Sequence, residues 1–224
     1  MKKVLRDNGL GLIFGVLFLV ALCGQAFAGH ADYNNQQLTQ GLEPVSLARY
    51  LTSASFAVDV AENWQSEYLQ FFLFIFLTVW LVQKGSPESK SLDEVGRETD
   101  EEQKIGRYAE EDSPKWARTG GLRTTLFSNS LGLVMGLIFV LSWLTQSIAG
   151  VAAYNEQQLA DLQDPVSWSQ YLRGPDFWNR TLQNWQSELL AVASMAILAI
   201  YLRQRGSSQS KPVGSPHSAT GVES

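Results

Sequence analysis

Cysteine is nearly absent from this chain, with one residue, Cys23, in 224. Disulfide frameworks need pairs and thiolate metal sites need clusters, so both are excluded. Histidine is almost as scarce. His30 and His217 lie far apart and leave no ligand spacing for a transition metal. The 17 Lys and Arg residues form no basic cluster interleaved with aromatics, so nucleic acid is not an implied partner. No phosphate-binding glycine loop, nucleophile elbow or His-Glu-x-x-His helix occurs. The sequence therefore implies no metal and no cofactor, and the chain is expected not to be an enzyme. Cys23 sits inside an apolar run, where a packing role is expected.

What the chain has instead is apolar sequence in blocks. Its mean hydropathy of -0.07 averages strongly apolar and strongly polar stretches. The apolar blocks are residues 10–28, 68–82, 131–149 and 189–202. A transmembrane helix needs about 20 residues. The first and third blocks approach that length. The second and fourth hold about 14–15 residues, roughly 22 Å of helix, and span only if their polar flanks sit at the membrane edge. Buried helices of a soluble protein are the alternative. Four blocks with Trp and Tyr at their ends fit a membrane better.

The blocks come in pairs because the chain repeats itself. Asn63-Trp64-Gln65-Ser66-Glu67 returns as Asn184-Trp185-Gln186-Ser187-Glu188, at an offset of 121. That offset holds without a gap from Asn8/Asn129 to Lys90/Lys211, and 34 of the 83 paired positions are identical. A repeat this long indicates a duplicated domain. The expected organisation is a two-helix membrane repeat over 1–85, a charged linker over 86–123, a second two-helix repeat over 124–208 and a disordered tail over 209–224. The linker carries Asp100-Glu101-Glu102 and Glu110-Glu111-Asp112 and few apolar residues apart from Trp116. That composition predicts disorder.

The first residues also read as a secretory leader, with Lys2, Lys3 and Arg6 ahead of an apolar run that ends Ala26-Phe27-Ala28. Its repeat partner lies in mid-chain, so a retained helix is expected. Residues 29–62 and 150–183 read as polar loops. In them Tyr33-Asn34 and Tyr154-Asn155 suggest a helical extension or an interfacial turn. Pro44 and Pro165 are expected to open short amphipathic helices as first helical residues, with Tyr50, Leu51 and Phe56, or Tyr171, Leu172 and Phe177, as the apolar face. Only Arg49, Arg173 and Arg180 of the 17 basic residues fall in these loops. The positive-inside tendency then puts the N-terminus, the linker and the C-terminus in the cytoplasm. The fold class expected is all-α, with four transmembrane helices and short extracytoplasmic interfacial helices. Both repeats share one orientation, related by a pseudo-two-fold axis along the membrane normal.

Two residue groups stand out within this plan. Gly11 and Gly15, repeated as Gly132 and Gly136, place small residues on one helix face and permit close helix packing. Gln25 and Glu67 each lie about 16 residues, or roughly 24 Å, from the inner ends of their helices. Gln146 and Glu188 repeat the arrangement. Gln25, Asn63, Glu67, Gln146, Asn184 and Glu188 thus form a candidate polar site, in which the two carboxylates titrate as a coupled pair. A carboxylate near hydrocarbon is a functional candidate by default. The alternative is structural: each Glu sits in a first helical turn, with the Asn four residues earlier as its N-cap.

The phrase Glu62-Asn63-Trp64-Gln65-Ser66-Glu67-Tyr68-Leu69-Gln70, with Gly24-Gln25 upstream and Gln83-Lys84-Gly85-Ser86-x-x-Ser89-Lys90 downstream, resembles a bacterial family of small membrane proteins catalogued as a domain of unknown function. The resemblance covers both repeats. The second departs from it at Thr145, Gln183 and Ala191, where the first has Gly24, Glu62 and Gln70. It implies membrane residence and duplication, and no reaction; the expected location is a bacterial inner membrane. Three functions remain open: a non-enzymatic structural or interaction protein of the envelope, a small carrier or channel component using Glu67 and Glu188, and an enzyme acting on lipid. Membrane lipids are the expected partners, with a second copy or another membrane protein as further candidates.

Overall fold

The computed structural model describes residues 2–221. Among them all regular secondary structure is helical: α1 (Lys2–Thr39), α2 (Leu47–Leu51), α3 (Ala54–Leu77), α4 (Lys115–Thr119), α5 (Gly121–Ser128), α6 (Ser130–Ala160), α7 (Trp168–Tyr171) and α8 (Pro175–Tyr201), with a 3-10 turn at Gly106–Tyr108. The chain divides into two compact units. One comprises Met1–Ala61 and Thr145–Phe177, the other Glu62–Leu144 and Trp178–Ser224. Below they are the first and the second unit.

Two helices are long and apolar enough to cross a membrane, Arg6–Thr39 and Ser130–Ala160. Each has an asparagine break close to its start. Asn8 leaves the helical region inside α1 (φ -128°, ψ 17°), and its amide donates to the Val4 carbonyl at 3.2 Å. Its repeat partner Asn129 separates α5 from α6 (φ -115°, ψ 7°) and donates to the Thr125 carbonyl at 2.7 Å. An amide that captures a carbonyl four residues back competes with the helix ladder.

Both long helices run past their apolar blocks, so the extension alternative holds and much of each expected loop is helix. α1 closes on Gly41, whose φ is +75°, with Leu42 N–H donating to the Gln37 carbonyl at 2.8 Å and Gly41 N–H to Leu38 at 3.1 Å. This is a Schellman end, which asks for a left-handed residue. α6 closes in the same way, with bonds from Gln163 to Gln158 and from Leu162 to Leu159. Its left-handed residue is Leu162, at φ +56°, and a side chain there is strained.

The prolines correct one expectation. Pro44 and Pro165 are not first helical residues; they lie two positions before the N-caps Ser46 and Ser167. A serine oxygen takes the cap position because it accepts a bond that proline has no atom to accept. Ser46 accepts from Arg49 N–H, and Ser167 forms a full capping box with Gln170. The proline that does open a helix is Pro175, followed by Asp176 in the first turn of α8.

α3 stops at Leu77, before the end of its apolar block at residue 82. The turn beyond it is folded, and so is the start of the linker. Gly96 N–H donates to the Val79 carbonyl at 2.8 Å, and Lys90 donates to the Gly96 carbonyl at 2.8 Å and pairs with Glu98. The Arg97 guanidinium lies 5.8 Å from the centre of the Trp80 ring. Cys23, expected to pack, is exposed on α1.

Candidate functional site

The first unit is built on two copies of one knot. Asn34 on α1 accepts from Val45 N–H at 2.8 Å and donates to the Val45 carbonyl at 3.1 Å. Asn155 on α6 treats Val166 identically, at 2.8 and 2.9 Å. One amide thus satisfies both backbone groups of a residue outside any helix, which is what a covered loop needs. The held segment then swings Tyr50 over Gly29 and Tyr171 over Gly150. Both tyrosines are buried. A Cβ on Gly29 would sit 2.2 Å from the Tyr50 hydroxyl oxygen, and one on Gly150 would sit 2.5 Å from that of Tyr171. Only glycine leaves that space. Tyr50 packs between Tyr33 and Phe56 with ring centres 5.5 and 5.4 Å away, and Tyr171 packs between Tyr154 and Phe177 at 5.5 and 5.7 Å. His30 joins the first copy alone, through Val45 O at 2.7 Å.

One contact in this unit breaks the duplication. Tyr33 donates to Glu156 Oε1 at 2.6 Å, from α1 to α6. The repeat partner of Glu156 is Asn35. Burial first, and then this bond, push the Tyr33 phenol up to about 12, against a smaller opposing pull from Arg49. Tyr33 lies beyond the apolar block of α1. Tyr33, Arg49 and Glu156 line a cleft of about 370 Å³ with Gln37, Thr52 and Ser53.

The second unit brings the two copies of the marker phrase together. Trp185 Nε1 donates to Gln65 Oε1 at 2.7 Å, and Arg180 pairs with Glu62 at 3.3 Å. Trp143 of α6 meets Phe139, Trp178 and Trp185 at 5.7, 6.1 and 5.8 Å between ring centres. Gln65 is wholly buried, and its Nε2 has no hydrogen-bond partner among the described residues.

The residues singled out in the sequence are therefore distributed. Gln25, half-buried, and Gln146, fully buried, belong to the first unit. Asn63, Glu67, Asn184 and Glu188 belong to the second. Glu67 is exposed and Glu188 half-buried. The capping alternative fails, because α3 begins at Ala54 and α8 at Pro175. Both phrases lie in helix interiors, where Asn184 donates to the Arg180 carbonyl at 3.0 Å instead. The glycines also divide. A Cβ at Gly136 would meet Phe72 carbons at 3.1 Å and one at Gly132 the Ile75 side chain at 4.0 Å, whereas nothing lies within 4 Å at Gly11 or Gly15.

Sequence reasoning missed a third cluster. Lys211 is 1 % exposed. Its ammonium donates to the carbonyls of Gly85, Pro216, His217 and Ala219 at 2.6, 3.2, 3.0 and 3.1 Å. Desolvation by burial lowers the lysine's affinity for its proton, with a smaller push from Arg203. The tail is held further by Gly85 N–H donating to Thr220 at 2.9 Å and by Gly221 N–H donating to the Ser86 carbonyl at 3.1 Å. The signal was the repeated Gln-(Lys/Arg)-Gly-Ser-x-x-Ser-Lys. In both copies the second serine accepts from the glutamine N–H at 2.9 Å, and the lysine follows it.

Among the described residues no group of three His, Cys, Asp or Glu side chains gathers as a metal site. A family model described as "Domain of unknown function (DUF6766)" matches residues 1–222. No curated protein and no solved structure matches the chain.

Proposed function

The chain belongs to the DUF6766 family of domains of unknown function, and from that premise we propose that it is a non-enzymatic, multi-pass protein of a bacterial inner membrane. Two tandem helix hairpins cross the bilayer four times, with both termini in the cytoplasm. Its role is structural or interactive within the cell envelope, with lipids and a second copy or another membrane protein as partners. The supporting observation is the surface of α1. Leu10, Ile13, Phe14 and Leu17 stand 76 %, 62 %, 64 % and 56 % exposed. A soluble monomer rarely displays so continuous an apolar face, and hydrocarbon removes its cost at about 25 cal/mol per Å². α6 exposes Leu133, Val134 and Leu137 in the same way, and the later half of α8 exposes Leu190, Ile197 and Leu198.

Reporter fusions test the topology. Residue 45 should report outside and residue 105 inside. Both on one side, or recovery of the chain in a detergent-free soluble fraction, ends this reading. Deleting the gene should leave solute flux unchanged while a defined partner co-purifies.

A carrier or channel component is the second reading, favoured by the meeting of the two copies of the marker phrase, each with its carboxylate, through the Trp185–Gln65 bond. Liposome flux with the wild type and with Glu67→Gln/Glu188→Gln separates the two. Equal flux removes the carrier.

A further inference from the structure

The cleft beside Tyr33 holds one cation and one anion that do not satisfy each other. Among the described residues no hydrogen bond or ion pair engages the Arg49 guanidinium. Glu156 accepts from the neutral Tyr33 phenol on Oε1, which leaves Oε2 for a further donor. Gln37, Thr52 and Ser53 supply neutral polar atoms between them. Such walls fit a ligand with an anionic and a cationic end. Guanidinium matches the oxygens of a phosphate in a planar, bidentate way. A carboxylate that already holds one donor matches an ammonium with N–H to give.

Depth narrows the class. The apolar block of α1 ends at Ala28, and Tyr33 lies five residues later, about 7.5 Å along the helix. Bilayer headgroups occupy roughly 5–8 Å on each side of the hydrocarbon. The cleft therefore opens at headgroup level, if the four-span reading proposed above is right. Its 370 Å³ is at the small end for ligand pockets, which suits a headgroup rather than a whole lipid. Gly15 lies eighteen residues below Tyr33, about five full turns and so on the same face. Nothing approaches within 4 Å of the Cβ position at Gly15 or Gly11, which leaves that face open to an acyl chain.

We propose that the Tyr33–Arg49–Glu156 cleft binds a zwitterion of phosphate and primary ammonium, supplied by an ethanolamine phospholipid. Arg49 takes the phosphate, and Glu156, held by Tyr33, takes the ammonium.

The test is thermal unfolding of the purified full chain in detergent, with phosphatidylethanolamine, phosphatidylglycerol or phosphatidylcholine added. The ethanolamine lipid should raise the midpoint most, because glycerol lacks the cation and choline lacks N–H donors. Arg49→Gln should weaken binding of the ethanolamine lipid about tenfold or more, as the loss of a charged hydrogen-bond partner does. Glu156→Gln should abolish the preference among the three lipids while Tyr33 keeps an acceptor. A shift with the lipid and none with soluble O-phosphoethanolamine assigns the source to the bilayer. An equal shift with the soluble compound supports the same chemistry with a free source. Equal midpoints in all three lipids, or a preference that survives both substitutions, overturns the proposal. A chain that fractionates with membranes yet shows no headgroup preference sinks the cleft alone; a chain that needs no detergent sinks the membrane reading.

Discussion

The two repeats hold the same local contacts and different distant ones. Asn34 and Asn155 clamp their valines with the same bonds, and Tyr50 and Tyr171 fill the same glycine notch. Beyond those knots the copies part. Gly136 is covered by Phe72 while Gly15 faces nothing. Tyr33 bonds Glu156, whereas asparagine stands at the matching position 35 of the first copy. Lys211 gathers four carbonyls, whereas Lys90 takes one carbonyl and Glu98. The difference teaches that short-range motifs survive copying intact, while each copy's outer surface is free to find its own partner.

The heaviest blow to that comparison comes from the knots. Tyr50→Ala and Tyr171→Ala should each cost about 3–5 kcal/mol, the usual loss for a buried aromatic, read as thermal unfolding in detergent. A large loss in one and tolerance of the other would break the equivalence of the knots. Lys211→Met should leave the gathered carbonyls unpaired and free the segment 211–221 from Gly85. Limited proteolysis should then clip that tail many times faster, while Lys90→Met leaves the tail as resistant as in the wild type.

Glycine substitutions sharpen the contrast at the next scale. Gly136→Val should cost about 1–3 kcal/mol by crowding Phe72, and Gly15→Val should cost little, since no atom stands in its way. If Gly15→Val proves the worse of the two, a partner absent from the single chain covers α1. Smaller again are the helix ends. Leu162→Gly should stabilise by roughly 1 kcal/mol, because Leu162 is 95 % exposed and held left-handed. Gly41→Leu should lose a similar amount. No gain from Leu162→Gly would show that the strain is relieved elsewhere.

A further effect is confined to alkali. The folded Tyr33 phenol lies near 12, above the ordinary 10. A raised acid contributes stability that is complete below the unfolded value and lost as pH climbs through the folded one. Wild-type stability should therefore fall between about pH 10 and 12, and Tyr33→Phe should flatten that fall. An unchanged slope in Tyr33→Phe would place the alkaline transition on another group.

Much of this was legible from residues alone. The helical class follows from four apolar blocks that carry no proline. The helix end at Gly41 was not legible in the sequence, which places that residue in a polar loop; its left-handed backbone shows only in the structure. The positions of Pro44 and Pro165 misled, since Ser46 and Ser167 are the stronger caps and lie two residues on. The marker phrase misled too. Its polar residues suggest a helix start, yet they lie in mid-helix, where Trp185 bonds Gln65 and Arg180 pairs with Glu62. Of the polar site, Asn63, Glu67, Asn184 and Glu188 belong to the second unit, and Gln25 and Gln146 to the first.

Periodicity and repetition act over a few residues or along the chain, so the sequence by itself determined the helical class and the duplication. The tertiary structure alone decided which glycine is covered, which carboxylate receives Tyr33 and what surrounds Lys211. The contacts Gly136–Phe72, Tyr33–Glu156 and Lys211–Gly85 join residues more than 60 positions apart, and identical local sequence is compatible with many such meetings. Packing selects among them by filling space and pairing buried polar groups, and neither quantity is defined until the faces have met.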